Sequence, residues 1–136
     1  MVYSFLTPVI TLNGTAKEVM EYYAQRLPDT EITHLELYRD APAFDFIERD
    51  WVMHGEFSLM GCDYCFLDMQ EEDATPGLKW SQSLYLTCQT EEEFDLLFEV
   101  TSNEGDVLME AKAVGEYRQC ACVIDRFGLR WQIVLK

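Results

Sequence analysis

The apolar and polar positions of the chain repeat a single plan. Residues 7–13, "TPVITLN", and 83–89, "SLYLTCQ", are strand-like runs, and each leads into a stretch with helical spacing. In "TAKEVMEYYAQRL" the apolar positions are Val19, Tyr22 and Tyr23. In "TEEEFDLLFEVTS" they are Phe94, Leu97 and Phe98. Both stretches open on threonine with glutamate three residues later, Thr15/Glu18 and Thr90/Glu93, which predicts two capping boxes. Gly14 is one extra residue in the first connection. After the first helix come "TEITHLELYR", "DWVMHGEFSLM" and "CDYCFLDMQ". After the second come "DVLMEAKAV", "RQCACVID" and "LRWQIVLK", with turn signals such as "RLPD", "SNEG", "MGCD" and "DRFG" between them. Each half therefore reads β-α-β-β-β, an α+β chain built twice. Only the first half has the loop "RDAPAFDFIERD", whose Phe44, Phe46 and Ile47 are expected to fold back over something, and "EEDATPGLKW" joins the halves. One helix per half covers one face of a small sheet, so the other faces bury against each other or curl around a cavity.

Strand alternation sorts the candidate chemistry. In the last strand Leu129, Trp131, Ile133 and Leu135 share one face, and Arg130, Gln132 and Val134 the other. In "VMHGEFSL" His54, Glu56 and Ser58 share a face, with Met53, Phe57 and Leu59 opposite. A histidine with a carboxylate two residues on can serve as an acid/base or ligand-orienting pair, or simply as a hydrogen bond on a sheet surface or dimer seam. His34 alternates with Ile32 and Glu36 on the strand before, exposed or packed.

Composition narrows the functions. The 136 residues fit one domain, and 49% hydrophobic residues make a core. A formal charge of −15 repels nucleic acid and anionic membranes. No apolar run approaches the roughly 18 residues of a membrane span. The opening "MVYSFLTPVITLNG" lacks the pattern of a signal peptide, and the five cysteines are an odd number, so a reduced, cytoplasmic protein is expected. "CDYC" and "CAC" do not match as zinc pairs, and buried structural thiols are expected for Cys62 and Cys65. The seven glycines are scattered with no G-x-G, so a nucleotide methyl donor finds no glycine-rich turn. A P-loop, a G-x-S-x-G elbow and a nucleophilic Cys–His pairing have no sequence support either.

The stretches "LNGTAKEVMEYYAQRLPDTEI", "VMHGEFSLMG" and "DRFGLRWQIV" are similar to the PhnB-like branch of the vicinal oxygen chelate superfamily, the fold of glyoxalases, bleomycin-resistance proteins and dioxygenases. That branch often carries the name 3-demethylubiquinone methyltransferase-type domain. The likeness runs from about Phe5 to Leu135, and FG-x-x-WQI is its most specific part. The resemblance implies one domain of two βαβββ modules, about 3–70 and 81–136, whose curved mixed sheets enclose a cavity with the helices outside. It also implies a homodimer. In metal-dependent members four concave positions supply ligands, usually histidine, glutamate or glutamine. Strand register carries these to Thr7, Ser83, Gln132 and either Cys65 (counted from Gly61) or Asp68 (counted from the strand end). Hydroxyl groups bind divalent cations weakly without carboxylate help, so this is a poor metal site. The resulting expectation is a small-molecule binding protein with no four-ligand metal centre and no cofactor. Its ligand would meet Thr7, Val9, His54, Glu56, Asp68, Tyr85 and Gln132, none of them assigned a catalytic role. One alternative is a metal-dependent or His54/Glu56-assisted lyase, isomerase or dioxygenase. Another is an interaction module whose interior is filled by Phe5, Phe66, Tyr85 and Trp131.

Overall fold

The computed structural model describes residues 6–44, 47–70 and 83–136. The joining segment 71–80, Phe5 and Phe46 lie outside them. The chain divides into two compact units, Met1–Pro76 and Gly77–Lys136. In the first, β1 (Val9–Leu12) leads into α1 (Ala16–Arg26), then β2 (Glu31–Leu37), β3 (Val52–Leu59) and β4 (Cys62–Asp68). The sheet order is β1-β4-β3-β2, with β1 parallel to β4 and the other pairings antiparallel. In the second, β5 (Leu84–Cys88), α2 (Glu91–Ser102), β6 (Asp106–Val114), β7 (Tyr117–Ile124) and β8 (Arg130–Leu135) repeat the plan in the order β5-β8-β7-β6. The α+β chain is thus two βαβββ modules.

In each unit the helix lies on one sheet face, and alternation decides which side chains it buries. Under α1 these include Phe57 and Phe66, whose rings meet edge-on at 5.3 Å, together with Val19, Met20 and Tyr23 from the helix itself. Gly55 is small because Met20 passes over it: a Cβ there would lie 2.8 Å from the Met20 methyl. Under α2 the buried set includes Val123, Trp131, Ile133 and Leu135, with Phe94 and Leu97 from the helix. Each such side chain contributes roughly 1.5–3 kcal/mol when fully buried. Phe66 and Trp131 therefore belong to helix–sheet cores and do not fill a barrel interior.

The two helices start differently. The Thr90 hydroxyl accepts from the Glu93 amide at 3.1 Å, the expected cap. Thr15 opens the same Thr-x-x-Glu pattern, yet its side chain makes no cap hydrogen bond. Asp68 serves α1 instead. Its Oδ1 accepts from the amides of Gly14 (2.8 Å) and Ala16 (3.0 Å), and its Oδ2 from Val52 (2.9 Å). The Asp68 carbonyl also accepts from the Tyr38 hydroxyl at 2.8 Å. Gly14 makes this possible. It sits at φ +96°, and a Cβ there would press into the Trp51 ring at 2.8 Å.

A second buried aspartate organises the stretch between β7 and β8. Asp125 Oδ1 accepts from the amides of Phe127 and Leu129, and its Oδ2 from the Trp131 indole, each at 2.9 Å. Its own amide and carbonyl are bonded to Leu129 and Gly128. The residues of "DRFGLRW" are therefore a folding device. In the long loop of the first unit, Tyr38–Asp40 and Pro42–Phe44 form short 3-10 turns and Ile47 is buried, consistent with a segment folded back on its unit.

Candidate functional site

The sheet face turned away from each helix carries the polar candidates. In the second unit β5 and β8 are paired so that Tyr85 stands beside Gln132, with Cys122 of β7 on the other side of Gln132. Gln132 donates through Nε2 to the Ser83 hydroxyl at 2.9 Å. Tyr85 is 54% exposed, and its hydroxyl faces that of Tyr117 at 3.5 Å. That partner holds the Tyr85 phenol above its ordinary range, so the group stays neutral and can donate.

In the first unit the equivalent pairing is Val9 beside Cys65. Because "TPVITL" and "SLYLTC" align residue for residue, Val9 corresponds to Tyr85 and Cys65 to Gln132. This register puts Cys65 on the open face. Asp68 is the residue that departs from expectation: it lies on the helix side with Phe66, is 1% exposed, and spends both carboxylate oxygens on backbone amides. Its two-residue spacing from Phe66 carried the signal, since strand positions two apart share a face. Thr7 is exposed just ahead of β1, and Val9 is exposed within it. Cys62 is exposed rather than buried.

Around Cys65 the open face holds a group that periodicity alone did not assemble. Cys65 Sγ lies 3.3 Å from His54 Nδ1, and His54 Nε2 lies 3.3 Å from Glu56 Oε1. On β2 the His34 Nε2 meets Glu36 Oε1 at 2.7 Å, and the two imidazole centroids are 6.1 Å apart. His34 reaches this face because the pairing of β2 with β3 slips between Ile32 and His34, so the two no longer share a face as positions two apart in a regular strand would. Local sequence carries no mark of that bulge. Burial pushes the Cys65 thiol up, so at rest it holds its proton.

The Glu36 carboxylate raises the His34 imidazole above its ordinary 6.5, partly offset by desolvation. A raised folded value means that the pair's stabilisation is fully present below the unfolded value and is lost as pH rises through the folded one. In an NMR titration His34 is expected to titrate above 6.5 in the natural chain and to move down in Glu36→Gln. Equal midpoints in the two proteins would remove Glu36 as the cause. The difference in melting temperature between them should be seen on the acid side and fade at higher pH.

A family model for 3-demethylubiquinone-9 3-methyltransferase matches residues 4–134. The chain belongs to that family. In structure it is similar to a PhnB protein from Bacillus cereus, with 26% identity over 98% of this chain and 100% of that one and a TM-score of 0.81. Protein PA1353 from Pseudomonas aeruginosa gives a TM-score of 0.83 at 21% identity, covering 98% of each chain. The fosfomycin resistance protein FosX from Listeria monocytogenes, complexed with Mn(II) and sulfate, gives 0.60 at 10% identity, covering 100% of this chain and 94% of that one. At those identities the last two show a shared fold. The family model and the PhnB protein identify the PhnB-like branch of the vicinal oxygen chelate superfamily. The sequence matches no curated protein.

Two groups implied by these relatives can be tested against the residues. For a divalent metal, the first unit offers Thr7 and Cys65, a hydroxyl and a protonated thiol facing His54, and the second offers Ser83 and Gln132, a hydroxyl and an amide whose nitrogen is bonded to it. Among the described residues no group of three His, Cys, Asp or Glu side chains is arranged to hold a metal ion. This donor set does not fit the cation. For a nucleotide methyl donor, the strand–helix turns would have to receive the cofactor. Asp68 already occupies the Gly14 and Ala16 amides, the Trp51 ring fills the space over Gly14, and Glu91, Glu92 and Glu93 make the start of α2 anionic. Neither turn fits. Among the described residues no helix is long and apolar enough to cross a membrane.

Proposed function

We propose that this PhnB-like protein binds a small, uncharged organic molecule without a four-ligand metal centre. The observation that carries the reading is the Tyr85–Gln132 pair. These neighbours lie on the face their helix leaves open, one a neutral phenol donor and the other an amide whose N–H is held by Ser83, so that its carbonyl is positioned to accept. Apolar surface with a few fixed polar anchors is the usual make-up of a small-molecule site. Val9 and Thr7 supply the corresponding surface in the first unit. All five cysteines are free thiols, which suits a reducing, cytoplasmic setting, and a homodimer is proposed with the same reading.

A second reading rests on His54, whose two ring nitrogens face a thiol and a carboxylate. It makes the protein a lyase or isomerase in which His54 and Glu56 move a proton. One experiment separates these readings from metal catalysis: elemental analysis of the freshly purified protein, with thermal shifts on adding zinc, nickel, manganese or iron(II), and then a panel of neutral planar compounds. We expect substoichiometric metal, no metal shift, and a response to some organic compound that Gln132→Ala weakens. Near-stoichiometric metal, or a metal-induced rise that Gln132→Ala abolishes, would overturn the proposal and make Gln132 a ligand.

A further inference from the structure

We propose that Cys65 is a nucleophile toward small, neutral conjugated carbonyl compounds, with His54 taking its proton and Glu56 holding the imidazole that does so. This rests on the reading that the open face of the first sheet receives small organic molecules, and it adds a covalent step to binding.

The geometry supplies each role. With the proton on Nε2 donated toward Glu56, Nδ1 is the lone-pair nitrogen, and it is the one that meets the thiol at 3.3 Å. The imidazolium formed would face Glu56 on its own strand, Cys65 on β4, and Glu36 with His34 on β2, where Glu36 is its register partner. The two carboxylates on this face, Glu36 and Glu56, disfavour an anionic substrate. Cys65 is only 7% exposed, which restricts the electrophile to a small one.

The backbone selects the reaction. Direct attack on a carbonyl carbon builds an oxyanion beside the nucleophile, which a nearby amide would have to stabilise. The Cys65 amide is already spent on the Pro8 carbonyl at 2.9 Å. In conjugate addition the sulfur attacks the β-carbon, an S–C bond forms, and the C=C electron pair moves toward the carbonyl. The negative charge then develops away from the reacting carbon. The proton that left sulfur for His54 is returned to the α-carbon. Nothing is oxidised or reduced and no group leaves. Because burial keeps the thiol protonated, transfer to His54 accompanies attack rather than preceding it.

N-ethylmaleimide, a neutral conjugated dicarbonyl, is the probe, with labelling of all five cysteines of the native full-length chain followed by peptide mass mapping. Cys120 is buried to a similar degree, and Cys88, whose thiol is pushed up to about 11 by burial and Glu93, marks the rate set by unfolding. Cys65 is expected to label about a hundredfold or more faster than Cys120, the low end of what a positioned base supplies. His54→Asn should remove that advantage, and Glu56→Gln part of it, with Cys62 and Cys122 unchanged. Labelling ordered by exposure alone, a Cys65 rate no faster than that of Cys88, or a fast Cys65 indifferent to His54→Asn, would overturn the proposal. Thermal shifts by unreactive planar compounds in Cys65→Ser report the binding reading separately, so loss of one leaves the other legible.

Discussion

Asp68→Ala is expected to cost about 3–5 kcal/mol, a large part of the 5–15 kcal/mol that holds a domain of this size together. The substitution strips the partner from three amides, Gly14, Ala16 and Val52, in a place where the carboxylate is 1% exposed and water does not readily replace it. A buried donor left without an acceptor costs about 1–3 kcal/mol. It also unties the start of α1 from the end of β4 and the beginning of β3, three elements that the carboxylate joins at one point. Asp68→Asn keeps the shape but has one acceptor oxygen for donors that now use two, so its NH2 must face an N–H. A loss of about 2 kcal/mol is expected there. Urea unfolding followed by circular dichroism measures both. An Asp68→Ala protein as stable as the natural chain would mean that the first turn of α1 is satisfied by another group.

Gly105→Ala is expected to be nearly as damaging, roughly 3 kcal/mol or more, although the change is one methyl group. Gly105 follows α2 at the entry to β6, and a Cβ there would overlap the Ile124 carbonyl oxygen and sit 3.0 Å from the Asp125 Cα. These are backbone atoms and cannot swing aside. The Asp125 side chain holds the turn between β7 and β8 through Phe127, Leu129 and Trp131, so displacing its Cα disturbs that turn as well. At Gly115 the obstacle is different: a Cβ there meets nothing within 4 Å, and only the left-handed φ of +56° opposes a side chain. A Gly105→Ala melting temperature within a degree or two of the natural chain would show that the α2–β6 connection can shift.

The architecture was legible because it rests on periodic burial. Phe57, Phe66, Trp131 and Ile133 alternate as strands require, and Val19 and Leu97 recur at helical spacing. The hub residues were not legible in the same way. Thr15 and Thr90 begin the same Thr-x-x-Glu pattern, and only a carboxylate 52 residues beyond Ala16 makes the first of them redundant. A local pattern cannot report so distant a competitor. The Cys65–His54–Glu56 group was half legible: parity put His54 and Glu56 on one face, but bringing Cys65 to them needs the β3–β4 register, and bringing His34 needs the bulge in β2. The most specific part of the family likeness, FG-x-x-WQI, begins in "DRFGLRW", a turn built on Asp125. A motif with a structural job locates the fold and leaves the chemistry to other faces of the sheets.

The unequal capping of the two helices also has a bearing on the order of events during synthesis. The start of α2 is closed by Thr90 and Glu93, three residues apart, so that helix can begin as soon as its own residues exist. The start of α1 waits for Asp68, and so for most of the first unit to have been made. Long-range closure of this kind slows assembly. The half of the protein that is made first is therefore the half whose helix is completed last relative to its own synthesis, and a nascent chain halted before residue 68 would carry α1 with an open end.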